Sequence, residues 1–280
     1  MNESAPVHLY DSHFQSQHAA KCDLLIRLSS NRVSYAIVDQ LQDQLKAFYD
    51  APLDQGPAEH LQMLSETDPL FKFHYRRVKV VPETRKFTFI PSDVYSDDML
   101  TSYSAFLNIR EGEEVRLTHL RKARLKNLIG LSKQVRDAAI HTFINPLFFG
   151  QADVLIESLL KFYYQETGLR LAIQLNGNTF EALYMDGKKV LFYNIFDNQS
   201  ADEFNYFLLT LMGQAAINAA ETPVLLTGEI TRDDERYRRL AKYFKTIGFT
   251  DTAKLMKISD EFGELRGHRY YSVLSQNICE

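Results

Sequence analysis

The sequence has no tryptophan and only two cysteines, Cys22 and Cys279, among 280 residues. Two thiols cannot build a Cys-rich zinc site or a disulfide scaffold. Neither sign of charge dominates: 32 Lys plus Arg against 36 Asp plus Glu gives −4. That excludes a wholly basic nucleic-acid binder and leaves room only for a local basic patch. Long apolar runs are also missing, and none approaches the roughly 20 residues that span a bilayer. The nearest, residues 204–220, is free of charge but interrupted by Asn205, Gln214 and Asn218, and reads as a buried core helix. The first 23 residues lack the basic start and apolar core of about 7–15 residues that a signal peptide needs. A cytoplasmic protein with reduced thiols is therefore expected.

What is present is an ordinary globular composition, 45% apolar and 24% charged. At roughly 100–200 residues per domain the length suits two domains or one large one. Fifteen Tyr and 19 Phe suffice for two separate cores. His8, His13 and His18 recur every five residues, which places them on neither one helix face nor one strand face. Residues 1–23 are expected to be a polar lead-in rather than a metal site.

The organising feature is an internal duplication. Residues 24–39 (LLIRLSSNRVSYAIVD) and 171–186 (LAIQLNGNTFEALYMD) align without a gap at an offset of 147, with five of 16 positions identical. Each is an apolar run, a polar turn and a second run, the pattern of a β-hairpin. The turns are Ser29-Ser30-Asn31-Arg32 and Asn176-Gly177-Asn178-Thr179, and Asn and Gly tolerate the positive φ of tight turns. Third strands follow at 45–49 and 190–194, then helices at 58–65 and 201–220. Ser200 and Glu203 form a capping box for the latter. Fourth strands are predicted at 85–90 and 223–227, and further helices at 97–106 and 233–244. The order β-β-β-α-β-α thus occurs twice, joined by an apolar helix over 152–165 and opened again by Gly168. The predicted division is a lead-in (1–23), a first half (24–166) and a second half (167–280), with a last strand at 269–275.

Residues 107–145 have no counterpart in the second half. They contain strands at 115–120 and 125–131 and a helix at 133–143, and are locally basic: Arg121, Lys122 and Arg124 fall in the turn. A second basic run, Arg232 to Lys245, follows Gly228. Such faces bind nucleic-acid phosphates or an acidic protein, or are simply solvated. His119 and His141 pair with no Ser or Cys in a recognisable motif, and Cys22 reads as a small buried residue.

Two pseudo-symmetric α/β halves, each opening with a hairpin and carrying a mixed sheet flanked by helices, resemble the actin, sugar kinase and Hsp70 ATPase fold (ASKHA, ribonuclease H-like). The stretch 189–214 (KVLFYNIFDNQSADEFNYFLLTLMGQ) with 224–230 (VLLTGEI) resembles an uncharacterised family known from Bacteroidetes, with that fold and no assigned activity. The platform proteins of type II secretion and type IV pili are related by fold.

The resemblance implies a nucleotide cleft between the halves. The two hairpin turns, Ser29, Ser30 and Asn31 with Asn176, Gly177 and Asn178, would cradle phosphates through their amides. An Asp at the end of each first strand would position Mg²⁺ or water, and a glycine pair after the second half's fourth strand would admit the adenosine. Here Arg27 and Gln174 stand in the aspartate positions. Mg²⁺ requires oxygen ligands such as carboxylates, and arginine cannot coordinate it. Gly228 keeps one glycine, while Glu229 replaces the second and would crowd a nucleotide. Arg27 is open to two readings, a solvated strand residue or a phosphate clamp. Since phosphoryl transfer rests on positioning and metal electrostatics, the expectation is a pseudo-ATPase: no catalytic residues, no metal, at most weak ATP binding, and a binding or scaffold role for a protein partner through the basic insert. A noncanonical ATPase or phosphotransferase is the alternative.

Overall fold

The structure is a computed structural model and describes residues 6–280 apart from 164 and 266. The first half contains β1 (Val7–Tyr10), β2 (Cys22–Leu28), β3 (Arg32–Asp39), β4 (Gln44–Pro52), α1 (Pro57–Thr67) and β5 (Arg77–Pro82). It continues through β6 (Phe87–Pro91), α2 (Leu100–Ser104), β7 (Glu113–Leu120), β8 (Leu125–Ser132), α3 (Lys133–Thr142), β9 (Leu147–Phe148) and α4 (Gln151–Tyr163). The second half contains β10 (Leu169–Asn176), β11 (Thr179–Asp186), β12 (Lys189–Asp197), α5 (Ala201–Gln214), β13 (Val224–Gly228), α6 (Glu235–Ala241), β14 (Ile247–Phe249) and α7 (Tyr271–Leu274).

The duplication is visible in the sheets. One runs β1-β4-β3-β2-β5-β9 and the other β12-β11-β10-β13-β14, so five strands repeat in the same order. β5 is parallel to β2 as β13 is to β10, and β9 and β14 add parallel edges. Even the irregularity repeats: the pairing register slips between Ile37 and Val38 and between Tyr184 and Met185, positions 147 residues apart. A bulge bends and twists a strand, so both sheets curve at the same point. The repeat unit is β-β-β-α-β-α-β-α, one strand and one helix longer than the sequence predicts.

On one face of the first sheet, Leu24, Ile26, Val33 and Tyr35 pack under Leu61 and Leu64 of α1 and Val135 and Ala139 of α3. The second sheet packs likewise under Phe204, Leu208 and Leu211 of α5 and Leu240 of α6. The opposite faces are exchanged. Ala152, Leu155, Ile156 and Leu159 of α4, which ends the first half, pack on the second sheet. Residues Leu255, Phe262, Tyr271, Val273 and Leu274, which end the second half, pack on the first. Residues 151–160 of α4 are all buried, the polar Gln151, Asp153, Glu157 and Ser158 included.

Several expectations change. The first half's fourth strand is Arg77–Pro82, not 85–90; Lys79 interrupts its apolar pattern but is buried beside Asp23. Residues 87–91 instead form an edge of a separate three-stranded sheet, β6-β8-β7. The insert therefore lies between β5 and α3, beginning before 107, and α3 belongs to the repeat as the counterpart of α6. The predicted helix at 97–106 is a short α-turn within that insert, flanked by 3-10 turns. Residues 269–275 do not form a strand: Tyr271–Leu274 is helical and Ser275–Ile278 a 3-10 turn. Helix α5 ends at Gln214 rather than 220. In the lead-in, Val7–Tyr10 is a strand paired with β4 and β2 already begins at Cys22, which is buried. No helix among the described residues is long and apolar enough to cross a membrane.

Candidate functional site

The two hairpin turns meet at the mouth of a cleft between the halves. A Cβ added to Gly177 would lie 3.0 Å from the Asn31 Nδ2, so the tips are in contact. Gly177 has φ +55° and is the residue that lets β10 turn into β11 over two positions. The contact divides the cleft. On one side lies a cavity of about 710 Å³ that includes Ser29, Ser30, Glu83, Arg85, Asn178 and Asp197 in its wall. On the other lies one of about 630 Å³ bordered by Asn31, Gly177, Asn178, Glu229, Asp234 and Arg236. The two are related by the pseudo-symmetry. Each is bounded by its own half's hairpin, the start of the helix after the third strand, and the start of the helix after the fourth.

Beneath the tips the floor is nearly filled, leaving only about 20 Å³ among Arg27, Asn31, Arg32, Asp50, Asn176 and Glu229. The structure thus gathers Ser29, Ser30, Asn31, Asn176, Gly177, Asn178 and Glu229 around one cleft. Gly228 sits just behind: its φ is +82°, an added Cβ would approach Leu175 O to 2.0 Å, and its amide donates to His268 O at 2.9 Å. Only glycine fits so close a backbone approach at positive φ.

Arg27 is half-buried in this floor, on neither a fully solvated face nor a closed core. Gln174 is buried and donates to Glu181 Oε1 at 2.6 Å. Asn176 Nδ2 and the Tyr193 hydroxyl also donate to that carboxylate, at 2.7 Å each. Burial pushes the Glu181 carboxyl up, opposed by the Tyr193 hydroxyl, the nearby charge of Arg27 and the two amides. The residues at the two first-strand ends therefore do not fit Mg²⁺: one is a cation and the other an amide already committed to Glu181. Asp50 is held by a bidentate bond from Arg32 and by Ser34 Oγ at 2.6 Å. Among the described residues no three His, Cys, Asp or Glu side chains converge as a metal centre.

Sequence reasoning missed Glu83. It follows β5 directly, and its amide donates to Leu28 O at 2.7 Å, as that of Glu229 donates to Leu175 O at 2.9 Å. The two glutamates are pseudo-symmetric, 146 residues apart. Placing the fourth strand at 77–82 would have exposed the match. The Arg85–Asp197 ion pair, which joins the halves across the cleft rim, was also missed.

In the insert, Arg121, Lys122 and Arg124 are all exposed in the β7–β8 turn, and Lys122 also reaches Glu157 of α4 at 3.5 Å. His119 contacts Lys126, and His141 bonds to the Asp137 carbonyl, so neither is paired as a catalytic base would be.

Two curved sheets that share a five-strand order, related by pseudo-symmetry and enclosing a hairpin-lined cleft, define the actin-like ATPase fold. The chain belongs to the family described as protein of unknown function (DUF3822), whose model matches residues 11–247. It is similar to a Bacteroides thetaiotaomicron VPI-5482 protein with an actin-like ATPase fold and unknown function, with a TM-score of 0.82, 16% identity, and coverage of 96% of this chain and 100% of that one. It is also similar to a chain of a PilM-PilN type IV pilus biogenesis complex, with a TM-score of 0.61, 9% identity, and coverage of 92% and 99%. No curated protein sequence matches the chain.

Proposed function

We propose that this protein is a non-catalytic actin-like module that works by binding another protein, with at most weak nucleotide binding in the cleft. The observation that carries the reading is the pair Arg27 and Gln174 at the two first-strand ends, one cationic and the other bound to buried Glu181. With no carboxylate at either strand-end position, neither Mg²⁺ nor an attacking water has its usual positioning group, and phosphoryl transfer loses its main electrostatic support. The test is Mg²⁺-dependent ATP turnover by the pure protein. Negligible turnover is expected; turnover near one per second, abolished by Arg27→Ala or Gln174→Ala, would overturn the reading. The two cavities of about 710 and 630 Å³ favour the second reading, a noncanonical phosphotransferase, and the same assay separates the two.

The partner surface in this proposal is the insert. Phe106 is 80% exposed and Val94 64%, both in the segment between β6 and β7. Ser92 donates its amide to Arg124 O at 2.9 Å, so the loop that carries Val94 starts beside the basic β7–β8 turn. Apolar and basic groups side by side suit a protein partner with an acidic rim better than a bare phosphate backbone. The PilM-PilN relative is itself part of a complex, which agrees with a binding role.

A further inference from the structure

The cavity of about 710 Å³ has three groups that attract anions, and each already holds one of the protein's own carboxylates. The Ser30 amide, in the first hairpin turn, donates to Glu83 Oε2 at 2.7 Å. The amino-terminal end of α1 carries Glu59, whose Oε2 would lie 2.3 Å from a Cβ added at Gly56, the residue preceding the helix. Arg85 is paired with Asp197. Glu83 is placed centrally, because its other oxygen faces Thr179 Oγ1 of the second hairpin at 3.5 Å. One carboxylate thus lies between the two turns.

The backbone around Glu83 makes this placement stiff. Its amide is fixed to Leu28 O, and the amide of Thr84 donates to Gln151 Oε1 at 3.0 Å. Residues 83–85 lead from β5 of the core sheet to β6 of the insert and line the cavity on the way.

We propose that Glu83 is a built-in anion that closes the hairpin cradle, and that the cradle binds a phosphate-type anion once this carboxylate is removed. A carboxylate oxygen and a phosphate oxygen compete for the same amide N–H, and the charge on Glu83 repels a second anion placed within a few ångströms. The proposal rests on reading the cleft as a former phosphate site and adds what keeps it shut.

The test is titration of wild type, Glu83→Ala and Glu83→Gln with inorganic tripolyphosphate, following heat and the amide resonance of Ser30. Removing a charged competitor for one charge-assisted hydrogen bond should tighten binding by about tenfold or more in Glu83→Ala. The Ser30 resonance should shift only where binding occurs. Glu83→Gln keeps the side chain and loses the charge, so it should gain less; it also reads the charge alone if the alanine variant does not fold. Wild type binding as tightly as both variants, or a folded variant that binds nothing, would overturn the proposal. So would binding that leaves the Ser30 amide unmoved. ATP turnover by the wild type would overturn the non-catalytic reading alone, whereas failure of tripolyphosphate binding overturns only the closed cradle.

Discussion

Lys79 Nζ lies 3.4 Å from Asp23 Oδ2, across the parallel pairing of β5 with β2, with the lysine side chain 2% exposed and the aspartate 0%. Arg76 completes the aspartate's shell with bonds of 2.8 and 2.7 Å. The ammonium also donates to the carbonyls of Gln276, Asn277 and Cys279, the last at 2.6 Å. A charge buried in the first sheet therefore holds the end of the second half in place. Burial pushes the Lys79 ammonium down, and the Asp23 charge opposes it.

Lys79→Met keeps the volume but leaves three carbonyls without their donor. Asp23 keeps Arg76, so the loss of stability should be about 2–3 kcal/mol. Urea unfolding measures it, and limited proteolysis should cut near residues 274–280 earlier than in wild type. Unchanged stability and an unchanged cleavage pattern would show that the apolar contacts of the C-terminal segment suffice.

Asp153 gives a pH signature. Burial pushes its carboxyl up to about 6, against hydrogen bonds from Asn127 and the Gly150 amide. Because the folded value lies above the unfolded 3.8, the folded state binds its proton more tightly. The associated stabilisation is complete below the unfolded value and is lost as pH rises through about 6. Relative to Asp153→Asn, wild type should gain about 1 kcal/mol between pH 7 and pH 5. Denaturant titrations at the two pH values read the difference, and a gain with the opposite sign would refute the assignment.

Gly228→Ala and Gly168→Ala separate two costs of replacing a glycine at positive φ. At Gly168, φ is +103° but nothing lies within 4 Å of an added Cβ; at Gly228 the Leu175 carbonyl stands 2.0 Å away. The first change should cost about 1 kcal/mol of backbone strain and the second at least about 3 kcal/mol. Thermal unfolding of the two variants side by side gives the ordering, and equal losses would contradict it.

The insert prediction is sharpened by Lys122. Arg121→Glu with Arg124→Glu alters only exposed side chains, so stability should change by less than about 0.5 kcal/mol while co-purification of an acidic partner falls. Binding should also weaken with salt. Lys122→Glu removes the cation facing Glu157, whose Oε1 is buried without a hydrogen bond. Its loss of stability, about 1 kcal/mol after allowing for the lysine's exposure, should appear in unfolding. A partner set unchanged by the double variant would count against the insert.

The duplication was legible because a hairpin is a local object. Its strands, its turn residues and its apolar alternation lie within 16 consecutive positions, so residues 24–39 and 171–186 could be matched directly. The N-cap at Ser200 was legible for the same reason: Glu203 N donates to Ser200 Oγ at 3.1 Å, although the Glu203 carboxylate accepts from Gln199 N rather than from Ser200 N as a full capping box requires. That Arg27 and Gln174 stand near the ends of the two first strands was likewise legible from each hairpin alone.

Tertiary structure decided the rest, where a residue's meaning depends on a distant partner. Lys79 breaks the apolar pattern of the fourth strand locally, and only the placement of Asp23 beside it accounts for its burial there. Tyr271–Leu274 has the residues of a strand, but its place against the first sheet, where the C-terminal run anchors on Lys79, makes it helical. Glu83 is one acid among many in the sequence. Only folding brings it between Ser30 and Thr179, residues 53 and 96 positions away, because the sheet order sets β5 beside β2 and the exchange of terminal helices draws the second hairpin against the first.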